Sequence, residues 1–162
     1  MSGKCLFSEK RGEGALLTLR IVREKACEYS EPEKIRSPAD AAKLFEKVFG
    51  LSEYAEEALC MITLDTAHNP CGFWKVSRGS LNESMVHPRE VFKRALLSNS
   101  HAVVIAHNHP SGTTNFSPQD RNCAERLRKA GEVLGVKLID FLAIGEGGSF
   151  RSASEKGILT QD

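Results

Sequence analysis

Three short segments, EALCMITLD at 57–65, HAVVIA at 101–106 and VKLIDFLAIG at 136–145, are apolar almost throughout. Each has the length of a strand, and each reads as a buried one. Around them lie segments with the other period. In SPADAAKLFEKVFG, Ser37 can cap, Pro38 suits the first helical position and Asp40 sits well in the first turn. Ala41, Leu44, Phe45 and Val48 follow at helical spacing, and Gly50 can close the end. HPREVFKRALLS predicts a second helix with Val91, Phe92, Ala95 and Leu96 on its apolar face. SPQDRNCAERLRKAGEVLG predicts a third, capped by Ser117 and Pro118 and ended by Gly135. Buried strands alternating with helices require a mixed sheet flanked by helices, an α/β fold in one domain.

The remaining segments fit around that frame. AHNPCG is a turn and FWKVSRGSL a strand, so residues 57–81 read as a hairpin. Residues 1–14 read as a loose tail, and ALLTLRIVREKA as a strand or extended arm with Leu17, Leu19 and Ile21 on one side. Residues 1–36 therefore form a tail and arm, and 37–162 the folded domain. GEGGSFRS turns into a short strand, and the end from Ala153 to Asp162 is peripheral. The expected order is β-α-β-β-α-β-α-β.

Composition narrows the class. A length of 162 residues suits one domain with a real core. A net charge of +1, with Lys and Arg interspersed among acids, gives no basic stripe for nucleic acid. The five cysteines, Cys5, Cys27, Cys60, Cys71 and Cys123, are odd in number and form no Cys-x-x-Cys, as expected for reduced thiols. No run approaches the roughly 20 apolar residues of a membrane span, and the start MSGKCLFSEKRGEG lacks a signal-peptide core. A cytoplasmic protein with no membrane partner is expected.

Chemistry concentrates in HNHPSGTTNFSPQD, residues 107–120. Strand residues two apart share a face, so His107 and His109 at a strand end can present both imidazoles to one ion. A short loop containing Gly112 lets Asp120, in the first turn of the next helix, swing up beside them. Two imidazoles and one carboxylate form the three-ligand set of catalytic zinc. Such an ion activates water for attack on a carbonyl. Ser117 would stand at the rim, holding the loop or donating to an oxyanion. The plain alternative is a capping box, Ser-x-x-Asp before a helix, in which Asp120 reaches back to the Ser117 amide; a metal-bound Asp120 is expected not to do so. The same ligand set suits ferrous iron, but nothing else in the chain calls for oxygen chemistry. The deaminase pattern of His-x-Glu with Pro-Cys-x-x-Cys is absent. Of the other histidines, His68 reads as exposed in a turn, His87 as a cap and His101 as remote; Trp74 beside Phe73 reads as core or interface.

HNHPSG with Ser117-Pro118-Gln119-Asp120 resembles the JAMM motif, and VHPREVFKRALLSNSHAVVIAHNHPSG resembles the RadC family of JAB/MPN metalloprotease-like domains. The resemblance runs from about Ser37 to Leu159. It implies a cytidine-deaminase-like fold with helices on both sides of the sheet and one zinc on His107, His109 and Asp120. It implies that Ser117 stabilises a tetrahedral intermediate, and that an upstream glutamate, Glu57 in the best register, shuttles the proton. Glu53, Glu56, Glu83 and Glu90 are the other upstream acids. Many relatives carry Asp-His where this chain has Asp140-Phe141. Residues 1–36 lack the glycine hairpin of a helix-hairpin-helix, so the chain resembles the short stand-alone branch. The function implied is a zinc-dependent metallopeptidase or isopeptidase acting on a peptide or protein. A DNA-repair-associated role, with DNA as partner, and a non-catalytic MPN interaction module are the alternatives. Pairing of two chains through a sheet edge or the arm is a further expectation.

Overall fold

The computed structural model describes residues 17, 18, 20–22, 34–79 and 86–159. They build a five-stranded mixed sheet and three helices. In chain order these are α1 (Pro38–Phe49), β1 (Ala58–Leu64), β2 (Pro70–Arg78), α2 (Pro88–Leu97), β3 (Ala102–Asn108), α3 (Pro118–Leu134), β4 (Lys137–Ile144) and β5 (Phe150–Ser152). The sheet order is β2-β1-β3-β4-β5, with β3 and β4 parallel and the other neighbours antiparallel.

The apolar runs are the central strands. Every residue of β1 and β3 is buried because both faces of the sheet are covered. On one face, Cys60, Ile62, Val104, Ala106 and Leu142 pack against Leu44 and Phe45 of α1. On the other, Leu59, Met61, Val103, Ile105 and Phe141 pack against Val91 and Phe92 of α2 and Ala124 and Leu127 of α3. The helix ends follow the caps in the sequence. Ser37 Oγ accepts from the Asp40 amide, and Gly50 closes α1 at φ 61. His87 accepts from the Arg89 amide at 3.1 Å, which makes it the cap of α2.

Several details depart from the sequence expectation. β2 starts at Pro70, not Phe73, because Asp65 alone makes the turn: its carboxylate accepts from the Ala67 and Asn69 amides and from the Asn69 side chain. A proline can open β2 because this is an edge strand with no neighbour needing its N–H. His68 is half-buried, at φ 65. Leu96 is exposed; at about 100° per residue it lies past the edge of the stripe made by Val91, Phe92 and Ala95. The described residues of the N-terminal arm, 17, 18 and 20–22, belong to no strand and are exposed; the rest of residues 1–33, with Cys5 and Cys27, lies outside the described residues. So do the expected strand end at residues 80–81 and Glu83. The C-terminal segment is less peripheral than expected, for Ala153 is buried and Ile158 and Leu159 pack on the core. Cys60, Cys71 and Cys123 are free thiols, and burial pushes Cys60 up to about 12 and Cys123 to about 11.

Candidate metal centre

β3, the loop after it and the start of α3 bring the ligand candidates together. His107 lies opposite Leu59 of β1, so its side chain joins the α2/α3 face. The chain stays extended for two more residues, and the His109 amide continues the ladder by donating to the Ile144 carbonyl at 2.9 Å. Both rings therefore stand on one face, with centroids 4.6 Å apart. The loop then turns at Gly112, φ 79, and is held by the Glu146 amide donating to the Gly112 carbonyl. Gly145 meets that same carbonyl so closely that a Cβ there would clash. This close pairing aims α3 at the histidines.

Asp120 is buried and sits in the first turn of α3, where the helix dipole favours a carboxylate. Its Oδ1 is 3.2 Å from His107 Nε2 and its Oδ2 3.4 Å from His109 Nε2. The two Nε2 atoms are 2.7 Å apart. One ligand atom from each of the three residues falls within 4.8 Å of the others.

The donor set fits a cation. Two imidazole nitrogens stand this close only with a proton or a cation between them. His109 Nδ1 is 3.0 Å from the Thr113 carbonyl, which can only accept, so Nδ1 carries a proton; Nε2 then offers a lone pair when it holds a cation and donates to Asp120 when the ring is protonated. Burial by itself would push the Asp120 carboxyl up. The hydrogen bonds from His107 and His109 outweigh it and hold the group far below the ordinary carboxylate range. The hydrogen bond to Asp120 raises His109; burial opposes it, and the charge of Asp120, the Thr113 carbonyl and the charge of Glu57 add to it.

The capping box is closed in this structure, and the same carboxylate faces both histidines. Ser117 Oγ accepts from the Asp120 amide at 3.1 Å, and Asp120 Oδ2 accepts from the Ser117 amide at 2.7 Å. A carboxylate has two oxygens with about four lone-pair sites; Oδ1 is left facing His107 while Oδ2 closes the capping box.

Chain 35–158 matches the family model described as the RadC-like JAB domain. The chain belongs to the RadC-like JAB domain family. It is 44% identical over 138 residues to a UPF0758 protein of Clostridium kluyveri, covering 85% of this chain and 59% of that one. It is 44% identical over 126 residues to a UPF0758 protein of Shouchella clausii, covering 77% and 53%. With a Clostridium beijerinckii UPF0758 protein it shares 40% over 126 residues, covering 78% and 54%. The chain thus spans between half and three-fifths of the length of these curated relatives.

For the other acids of this RadC-like domain, strand alternation decides. Glu57 precedes β1 and is two residues from Leu59, hence on the face of His107, and its charge reaches His109. Its neighbour Glu56 pairs with Arg78 at 3.0 Å on the other side. Glu90 is committed to Lys93 and Arg94 in α2, and Glu53 lies in the 3-10 turn Leu51–Glu53. His101 is exposed at the far end of β3, and Trp74 packs against the core.

Two contributors were not singled out by sequence reasoning. Asn108, between the two histidines, is 1% exposed and ties β3 to the entry of β1. The second is the aromatic wall of Phe116 and Phe141, with ring centroids 6.4 and 5.0 Å from that of His107. The signal for Asn108 was present: a polar side chain at the end of an apolar strand, pointing opposite to its two neighbours.

Proposed function

We propose that this domain is a zinc-dependent hydrolase that cleaves an amide bond in a peptide or protein. The observation that carries the reading is the convergence of His107 Nε2, His109 Nε2 and Asp120 at the mouth of the sheet, with Glu57 on the same face. His107, His109 and Asp120 would hold the ion. When bound there, zinc lowers the pKa of water and polarises a carbonyl.

Glu57 accepts a proton from the attacking water and returns it to the amine as the C–N bond breaks. Ser117 Oγ accepts from the Asp120 amide, so its own proton remains for the oxyanion that develops on the substrate carbonyl. Asp120, whose Oδ2 is held by the Ser117 amide, turns Oδ1 to His107 and Oδ2 to His109.

The test is metal content and turnover in parallel. Purified protein is expected to hold about one zinc per chain. His107→Ala is expected to lose it, and Glu57→Gln to keep it while losing hydrolysis of a peptide pool. Full zinc occupancy in His107→Ala, or undiminished turnover in Glu57→Gln, overturns the assignment.

A further inference from the structure

Asn108 stands in the last position of β3, between the two histidines, yet belongs to the opposite side of the strand. Its amide makes three hydrogen bonds to residues 50 to 54 positions away in the chain. Oδ1 accepts from the Ala58 amide at 2.8 Å. Nδ2 donates to the Glu56 carbonyl at 3.1 Å and to the Tyr54 carbonyl at 3.1 Å. The two groups gripped nearest to Glu57 are the carbonyl before it and the amide after it. The Glu57 carbonyl is itself held by the Gly79 amide at 2.8 Å.

We propose that Asn108 is the positioning residue for Glu57, fixing that carboxylate relative to the two histidines. The inference rests on the hydrolase reading above. The chemistry is specific to a primary amide. One acceptor and two donors on a short, buried stem match one N–H and two carbonyls. A carboxylate of the same shape can still accept from Ala58 but cannot donate to either carbonyl. A serine has one donor and a shorter reach. Because the backbone of Asn108 runs directly into His107 and His109, the ligand pair and the base segment are fastened as one unit. Placement of this kind matters because a misplacement of about 1 Å costs on the order of a hundredfold in rate.

The experiment uses the full chain loaded with cobalt(II), whose visible spectrum is followed against pH. Glu57→Gln is expected to move the midpoint of the alkaline transition by about one pH unit, as loss of a neighbouring charge does. Asn108→Ser is expected to move it in the same direction by at least half as much, at unchanged cobalt stoichiometry. The double variant is expected to move it no further than Glu57→Gln alone, the signature of action through one group. Should Asn108→Ser fail to fold, Asn108→Thr, which is also uncharged and nearer in size, is read in the same way. A midpoint at the wild-type value in the Asn108 variant, with a displaced one in Glu57→Gln, overturns the proposal and leaves the hydrolase reading standing. Additive shifts also overturn it. Failure of the wild type to bind cobalt, or an unmoved midpoint in Glu57→Gln, removes the hydrolase reading itself and the proposal with it.

Discussion

His107 and His109 are two residues apart and face the same carboxylate, yet they are held by opposite means. His109 is partly exposed, and its Nδ1 donates to the Thr113 carbonyl of the adjoining loop. His107 is fully buried, lies against the neighbouring rings of Phe141 and Phe116, and its Nδ1 has no hydrogen-bond partner among the described residues. One ring is oriented by a hydrogen bond, the other by packing. The difference matters for a ligand, because an acceptor on the distal ring nitrogen fixes the tautomer and raises the basicity of the coordinating one. The pair is therefore unequal: His109 is set by its loop and His107 by the core.

The largest expected effect comes from the residue both rings share. Asp120→Ala is expected to take zinc content from about one per chain to near zero, and to lower stability by about 1 kcal/mol through loss of the capping box. Asp120→Asn can still accept from the Ser117 amide, so it is expected to lose the metal and keep most of the stability. Metal analysis beside thermal melting separates the two roles. If Asp120→Ala melts below Asp120→Asn while both still bind zinc, the carboxylate is a cap and nothing more.

Next in size is the wall behind His107. Phe141→His replaces one flat ring by another that carries an acceptor nitrogen, and is expected to tighten zinc about tenfold, measured by competition with a chelator. Phe141→Leu supplies no acceptor and is expected not to tighten it. Equal affinities across wild type and both variants would mean that the contrast between the two rings has no energetic weight. A smaller effect is expected on the His109 side. Gly112→Ala forces a left-handed residue, φ 79, to carry a Cβ 3.2 Å from that of Glu146. The expected cost is about 1 kcal/mol in stability, with zinc affinity a few-fold weaker as the Thr113 carbonyl shifts.

The same contrast explains what the sequence showed in advance. β1, β3 and β4 were legible because strands covered on both faces leave unbroken apolar runs. The helix ends were legible because Ser37, Gly50, Ser117 and Gly135 cap by local chemistry. His107, His109 and Asp120 were legible because their offsets are set by a strand, a short loop and a helix start. The start of β2 was not, since Asp65 closes a tighter turn than the Pro70-Cys71-Gly72 pattern suggests. That Asp120 closes the capping box while facing both histidines was not, because it depends on which oxygen faces which partner. Asn108 and Phe141 act on groups distant in sequence, at Glu56 and Ala58 in one case and at His107 in the other. The polar end of an apolar strand marks Asn108 as unusual, but no local spacing names the distant groups that either residue touches.

The smallest effect is a control farther along α3. Glu125 sits two turns beyond the start of the helix, where Arg128 donates to both its oxygens at 2.9 Å. Those bonds hold the carboxyl down from its ordinary 4.5 to about 2. A carboxyl lowered on folding stabilises the folded state above its ordinary value, and the contribution disappears as pH falls toward the lowered one. Because the pair is partly exposed, its worth is under about 1 kcal/mol. Glu125→Gln is therefore expected to melt slightly below wild type at neutral pH, with the gap closing between pH about 4.5 and about 2, and to bind zinc with wild-type affinity. A change in zinc affinity in this variant would show that charge anywhere on α3 reaches the site. The inequality between the two histidines could then no longer be assigned to the groups that touch them.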